Sequence, residues 1–311
     1  MATTIIKHLE YVAQLEAQLH GSPYSAVAER TVALAKRALE TELVHLDETS
    51  EKTSEETSET DTLTSHIKTL EWLLKLPTMS FTFDTFKNIL KYVELVQLFL
   101  KFSDIDPSAE NNYAIRSASE FGHTDTVKVL LADPRVDPSA DNNYAIRYAS
   151  QHGHTEVVKT LIVDRRVDPS AYDNYAIREA SQRGQTDAVK VLLADPRVDP
   201  SATNNLSIKF ASTYGCTDVV KLLLADPRVD PSADDNFSIQ LASSNGHTDV
   251  VKVLLTDPRV DPTQNNNYAI RVASLYGRTD VVKVLLADPR LADPSACDNE
   301  AIRFARVIQM W

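Results

Sequence analysis

The groups with the most chemical potential in this sequence are the imidazoles of His123, His154 and His247 and the thiols of Cys216 and Cys297. Such groups hold zinc, or serve as base and nucleophile, only where several converge at short, fixed spacing. Here they do not converge. The three histidines occupy one place in successive copies of a single phrase, and Gln185, Cys216 and Arg278 occupy that place in the other copies. A position that accepts all four side chains points to local capping or packing rather than metal ligation. Cys216 has no base beside it, and the sequence contains no Gly-rich phosphate loop, His-Glu-x-x-His or Cys-x-x-Cys. Asn205-Leu206-Ser207 and Asn236-Phe237-Ser238 match a glycosylation signal, but each asparagine opens a predicted helix. The expectation is a protein that is not an enzyme and takes no cofactor and no metal. A charged file of Arg116, Arg147, Arg178, Lys209, Arg271 and Arg303, interrupted by Gln240, admits two readings. Each arginine stacks on a neighbouring tyrosine or pairs with a nearby aspartate, which is the favoured reading, or the file is a basic track for an acidic partner segment.

These side chains are positioned by a repeat. DPSAENNYAIRSASEFGHTDTVKVLLADPRV begins at Asp106 and restarts at Asp137, Asp168, Asp199, Asp230 and Asp261, 31 residues apart each time. A seventh copy begins at Asp293 and reaches Trp311 after its first helix. Six of the seven glycines (Gly122, Gly153, Gly184, Gly215, Gly246 and Gly277) share one repeat position, which marks a helix end needing positive φ. All prolines but Pro23 and Pro77 lie between units, mostly in Asp-Pro-Arg-Val-Asp-Pro, which stops helices and favours turns; the second unit has Arg165 in place of one proline. Two short helices fit between these breakers. The first opens on an asparagine placed as an N-cap (Asn112, Asn143, Asn174, Asn205, Asn236, Asn267 and Asn299), and the second opens on a threonine followed by an acidic residue. Helices this short cannot bury their own apolar sides, so they must stack on their neighbours.

Gly-His-Thr-Asp-Val-Val-Lys-Val-Leu-Leu, at Gly246 to Leu255, resembles the second-helix signature of ankyrin repeats, and the Ala-Ser-x-x-Gly before it resembles the family's Ala-Ala-x-x-Gly. The resemblance covers residues 106–311. It implies an all-α fold, an ankyrin-type α-solenoid of stacked helix-turn-helix repeats, working as a binding protein. The sequence departs from the family where Tyr-Ala-Ile-Arg replaces Thr-Pro-Leu-His and where the period is 31 rather than about 33. A shorter, Asp-Pro-based hairpin is therefore expected. The Ala-Ile-Arg-x-Ala-Ser variant is similar to arrays of giant DNA viruses and protists.

Upstream, the spacing predicts a helical hairpin over 1–46, with Gly21 between its helices, and an acidic Ser/Thr/Glu linker over 47–63. Residues 64–105 read as one helix followed by a degenerate capping repeat whose aromatics, Phe81, Phe83, Phe86, Phe99 and Phe102, need cover. The net charge of -12 argues against nucleic acid and against an anionic membrane. Two cysteines make no disulfide framework, and no leader or membrane span is evident, so a cytoplasmic location is expected, in the host if the source is viral.

At helical spacing Ala114 and Ala118 project to one side, with Ile115 adjoining, while Tyr113, Arg116, Ser117 and Glu120 project to the other. By the family resemblance that outward side, with the hairpins, is the concave binding surface, and the candidate partner-binding residues lie on it. The arginine file supplies Arg116, Arg147, Arg178 and Arg271. The next position supplies Ser117, Tyr148, Glu179, Phe210, Leu241 and Val272. The two positions before each glycine supply Glu120, Phe121, Gln151, His152, Gln182, Arg183, Thr213, Tyr214, Ser244, Asn245, Leu275 and Tyr276. These are the places where the units differ most, and aromatics such as Tyr148, Phe210, Tyr214 and Tyr276 suit interface anchors. The leading expectation is a scaffold or adaptor that binds a protein partner. One alternative is a self-assembling protein that forms a homo-oligomer through the C-terminal end, where Ile302, Phe304, Val307 and Trp311 are left uncovered, or through the N-terminal helices. Another is a ubiquitin-ligase substrate receptor, with Leu76-Pro77 and Ile89-Leu90 as a faint F-box echo.

Overall fold

The computed structural model describes residues 83–102 and 104–291. The expected hairpin over 1–46, the linker over 47–63, the helix before Pro77 and the partial seventh repeat lie outside the described residues. Every regular element among the described residues is a helix. They fall into two compact units, one containing 83–118 and 125–137, the other containing 119–124 and 138–291.

In the first unit, short helices at Phe83–Asn88 and Val93–Phe102 precede the first complete repeat. Phe86 and Phe99 are fully buried with ring centroids 6.3 Å apart, and Ile89, Leu90 and Val96 share their core. Two bonds to main-chain oxygens tie the next repeat on. The Thr126 hydroxyl donates to the Leu90 carbonyl at 2.7 Å, and Arg135 Nη1 donates to the Ile105 carbonyl at 3.2 Å.

The second unit contains repeats two to six. Their first helices are Ala140–Gln151, Ala171–Gln182, Ala202–Thr213, Ala233–Asn245 and Gln264–Leu275; their second helices are Thr155–Ile162, Thr186–Leu193, Thr217–Ala225, Thr248–Leu255 and Thr279–Leu286. First helix packs on first helix and second on second, which makes the fold an all-α, ankyrin-type solenoid. Ala145, Ile146 and Ala149 of a first helix and Val157, Val158 and Leu161 of a second are fully buried, and the same positions recur in the following repeats. Each buried Val, Leu or Ile side chain contributes about 1.5–3 kcal/mol, so the short helices draw their stability from this stacking.

Each first helix opens on a left-handed turn of three residues. In repeat two Asp141, Asn142 and Asn143 have φ of 55°, 54° and 59°, and the right-handed helix starts only at Tyr144. A left-handed residue costs about 1–2 kcal/mol for most side chains and least for Asn and Asp. Of the eighteen such residues, only Glu110, Tyr172 and Thr203 are neither Asn nor Asp, so the composition follows the backbone. The expected N-cap role of the last asparagine is corrected here. An N-cap residue is extended and bonds its own helix, whereas Asn143 is left-handed and its Oδ1 accepts the backbone N–H of Asp168, in the next repeat, at 2.7 Å. Asn112, Asn174, Asn205 and Asn236 bond Asp137, Asp199, Asp230 and Asp261 in the same way.

The glycine between helices is fixed twice. Gly215 has φ +75°, and a Cβ there would lie 2.6 Å from Nδ1 of His247 in the next repeat. The left-handed backbone and the displaced imidazole together predict that Gly215→Ala lowers stability by about 1–3 kcal/mol in urea unfolding. Ser207 gives the opposite case. It stands where most repeats have alanine, and its buried hydroxyl has no hydrogen-bond partner. Ser207→Ala is predicted to raise stability by about 1 kcal/mol in the same measurement, since an unsatisfied buried hydroxyl is lost and nothing else changes.

Candidate functional site

The surface of the first helices is set by what its polar side chains do for the backbone beneath them. Three residues into the right-handed helix, Arg147 turns back over the left-handed turn. Its Nε donates to the Asn142 carbonyl and its Nη2 to the Asp141 carbonyl, each at 2.9 Å. Arg116 and Arg178 bind the corresponding carbonyls of their own turns. Lys209 donates to the Asn204 carbonyl at 2.6 Å and pairs with the Asp234 carboxylate, and Gln240 donates to the Asp235 carbonyl at 2.6 Å. The file is therefore an internal clamp on the strained turn. Stacking on tyrosine accompanies it in repeat two, where Arg147 is 8% exposed and lies 5.0–5.9 Å from the ring centroids of Tyr144, Tyr148, Tyr172 and Tyr175. The contact common to these units is the main-chain carbonyl, which charge spacing in the sequence does not reveal.

The position shared by histidine, glutamine, cysteine and arginine does similar work between units. Each of these residues precedes the second helix, and in repeats two to six each reaches back to the carbonyl that ends the previous first helix, while His123 of repeat one stacks on Phe121. His154 Nε2 lies 2.9 Å from the Glu120 oxygen and His247 Nε2 2.9 Å from that of Thr213. Gln185 donates to Gln151 at 3.3 Å, Cys216 to Gln182 at 3.6 Å and Arg278 Nε to Ser244 at 2.9 Å. Burial pushes the Cys216 thiol up, so it keeps the proton it donates. Only a donor of the right reach is required, which explains the mixture of residue types.

In the hairpins, Arg197 binds the Asp195 carboxylate through Nε and Nη2 and sends Nη1 to the Val167 carbonyl at 2.9 Å. Arg228, Arg259 and Arg290 repeat the pattern. Hydrogen bonds from the arginine hold the carboxyls of Asp133, Asp164, Asp195, Asp226, Asp257 and Asp288 below the ordinary value.

Beside this frame lies a file of exposed side chains, of which His152 lies 3.0 Å from the Tyr148 carbonyl and Asn245 donates to the Thr213 carbonyl at 3.2 Å. The residue just before the glycine is exposed in all six repeats: Phe121 at 63%, His152, Arg183, Tyr214 at 56%, Asn245 and Tyr276 at 58%. One place earlier Glu120, Gln151, Gln182, Thr213 and Ser244 are half-buried and Leu275 is exposed. The Glu120 carboxylate accepts the Tyr144 hydroxyl at 2.8 Å, and the Gln151 oxygen accepts that of Tyr175 at 3.3 Å. Ser117, Tyr148, Glu179, Phe210 and Leu241 are half-buried, as are Arg116, Arg178 and Arg271, whereas Val272 and Arg147 are buried. Tyr172, Phe237 and Tyr268 are exposed on the same helices without having been singled out by variation, because two of them sit at the generally aromatic Tyr113 position.

The model of the ankyrin repeat family, Ankyrin repeats (3 copies), matches residues 88–173, 146–235 and 208–296. The chain belongs to the ankyrin repeat family. Ankyrin repeats mediate protein–protein interaction and are typically not enzymes. No curated protein matches this chain. Among the described residues no helix is long and apolar enough to cross a membrane, and no three His, Cys, Asp or Glu side chains gather as a metal site.

Two outcomes follow for this ankyrin array. Arg178→Met keeps the apolar stem and removes both donors to the turn. It should lower stability by about 2 kcal/mol in chemical denaturation, whereas Arg183→Ala, on the exposed file, should leave it unchanged. The hairpin carboxyls set an acid limit. Their folded values lie below the ordinary 3.8, so their contribution is complete above that pH and is lost as pH falls through and below it. Urea midpoints measured on descending pH should drop in that window, and Asp195→Asn should shallow the drop.

Proposed function

We propose that the chain is a protein–protein interaction scaffold whose partner lies along the first-helix side, the side the family resemblance assigns to the concave groove. The distribution of exposed large apolar side chains carries this reading. Among the described residues Phe121, Tyr172, Tyr214, Phe237, Tyr268, Leu275 and Tyr276 lie on, or directly follow, first helices, against only Val163 and Leu286 on the second-helix side. Large apolar groups gathered on one side of a soluble fold mark an interaction surface. The frame beneath is uniform. The buried Ser119, Ser150, Ser181, Ser212, Ser243 and Ser274 stand two residues before the exposed file, and glycine stands one after it. The exposed file therefore varies between two positions that do not.

A capture experiment from cells that make the protein tests this. The triple variant Phe121→Ser, Tyr214→Ser, Tyr276→Ser should lose the captured partner while keeping its far-UV circular dichroism, and Val163→Ser should keep the partner. Retention of the whole captured set by the triple variant would place the interaction elsewhere.

A further inference from the structure

The first-helix side changes character along the array. In repeats two and three its exposed file carries His152 and Arg183, preceded by Gln151 and Gln182. From repeat four onward it carries Tyr214, Asn245 and Tyr276, the last preceded by the exposed Leu275, and Phe237 and Tyr268 are exposed at the starts of the helices in repeats five and six, as Tyr172 is in repeat three. Negative charge gathers at the helix start of repeat five. Asp230, Asp234 and Asp235 are exposed there, and Asp235 lies two residues before Phe237. Nearby cations are engaged elsewhere or by single acids of the cluster. Lys209 is buried against the Asn204 carbonyl and Asp234, Arg259 faces both Asp257 and Asp230, Arg278 is held by the Ser244 carbonyl, and Arg271 sits at the clamp position. Asp235 meets only an amide, Gln264 Nε2 at 3.5 Å.

We propose that repeats four to six form a docking surface for a basic, amphipathic segment of a partner protein. Its apolar side chains would cover Tyr214, Phe237, Tyr268 and Tyr276, and its lysines or arginines would face the carboxylates at the hairpin ends of the same helices. Apolar contact supplies the affinity, and Asp235, the acid of this cluster that meets no cation, selects positive charge, while the chain's net charge of -12 speeds the encounter. The exposed guanidinium of Arg183 disfavours such a segment on repeats two and three, whereas that of Arg278 is turned to the Ser244 carbonyl. The proposal rests on the first-helix reading above and adds the chemistry of the partner and its place on the array.

Selection of a displayed random peptide library on the full chain tests it. Enriched peptides should combine Lys or Arg with aromatic or aliphatic residues. Tyr214→Ser with Tyr276→Ser should weaken them at least about tenfold, Asp235→Lys should weaken them several-fold and remove most of their salt dependence, and Arg183→Ala should not weaken them. Circular dichroism of each variant checks that the fold is kept. Peptides that are acidic or uncharged, or insensitive to Asp235→Lys, overturn the proposal. If such peptides still depend on Phe121, His152 or Arg183, the first-helix reading stands and only this inference fails. If no first-helix substitution matters, or nothing is enriched, both fail.

Discussion

Helices of eight to thirteen residues leave carbonyls and amides at their ends that no intrahelical bond can satisfy, and they do not persist alone in water. In this array side chains complete that bonding, and many do so across a repeat boundary. Asn143 takes an amide of the next hairpin, His154 lies against the last carbonyl of the previous first helix, and Arg197 binds a carbonyl of the previous hairpin. The partner is backbone in every case. The backbone group therefore stays the same when the sequence changes, and at the reach-back position the side chain can be imidazole, amide, thiol or guanidinium without loss of register.

The left-handed turn is what makes the arginine file necessary. Three consecutive residues in that region would cost several kcal/mol if nothing compensated them. Asn and Asp reduce the cost, and the clamp at Arg116, Arg147, Arg178, Lys209 or Gln240 gathers the turn's carbonyls. The same turn aims the asparagine at the next repeat. Strain, clamp and inter-repeat bond form one device, and the device consumes most of the polar side chains on the hairpin end of the first helix. What remains for recognition is the far end of that helix, before the glycine, together with the outermost rings.

The period, the glycine, the helix pairs and the buried Ala, Ile, Val and Leu positions were legible because each reflects one local constraint repeated six times. The asparagine was legible as special but not in its role. N-caps and left-handed turns both favour Asn, and only the backbone angle and the 25-residue reach to the next repeat separate them. The arginine file left two readings open because its acceptors are carbonyls, which carry no sequence signal. Variation likewise marked Arg147 and Val272 as strongly as Tyr214, since it cannot distinguish a residue buried on tyrosine rings from one in solvent. Phe237 and Tyr268 went unnoticed for the converse reason: they share the position of the half-buried Tyr144 and Tyr175, and their exposure depends on neighbours rather than on type.

The junction between repeats three and four is where the two halves of the exposed file meet, and it is also where the inter-repeat bonding is thinnest. The reach-back bond there comes from a thiol, a weak donor, at 3.6 Å, against 2.9 Å from the imidazoles of His154 and His247. In repeat four the clamp drops from a two-pronged guanidinium to a single ammonium, which also leans on repeat five through Asp234. In a linear array stability is close to a sum of unit and neighbour terms, so opening concentrates where a neighbour term is small. The second unit thus sets two repeats that carry His152 and Arg183 beside three that carry most of its exposed rings, and the reach-back bond where they meet is its longest. The backbone bonds that cross this junction, Asp199 N–H to Asn174 Oδ1 at 2.7 Å and Arg228 Nη1 to the Val198 carbonyl at 2.8 Å, are as short as at the other junctions, so register is kept there even where the reach-back donor is weak.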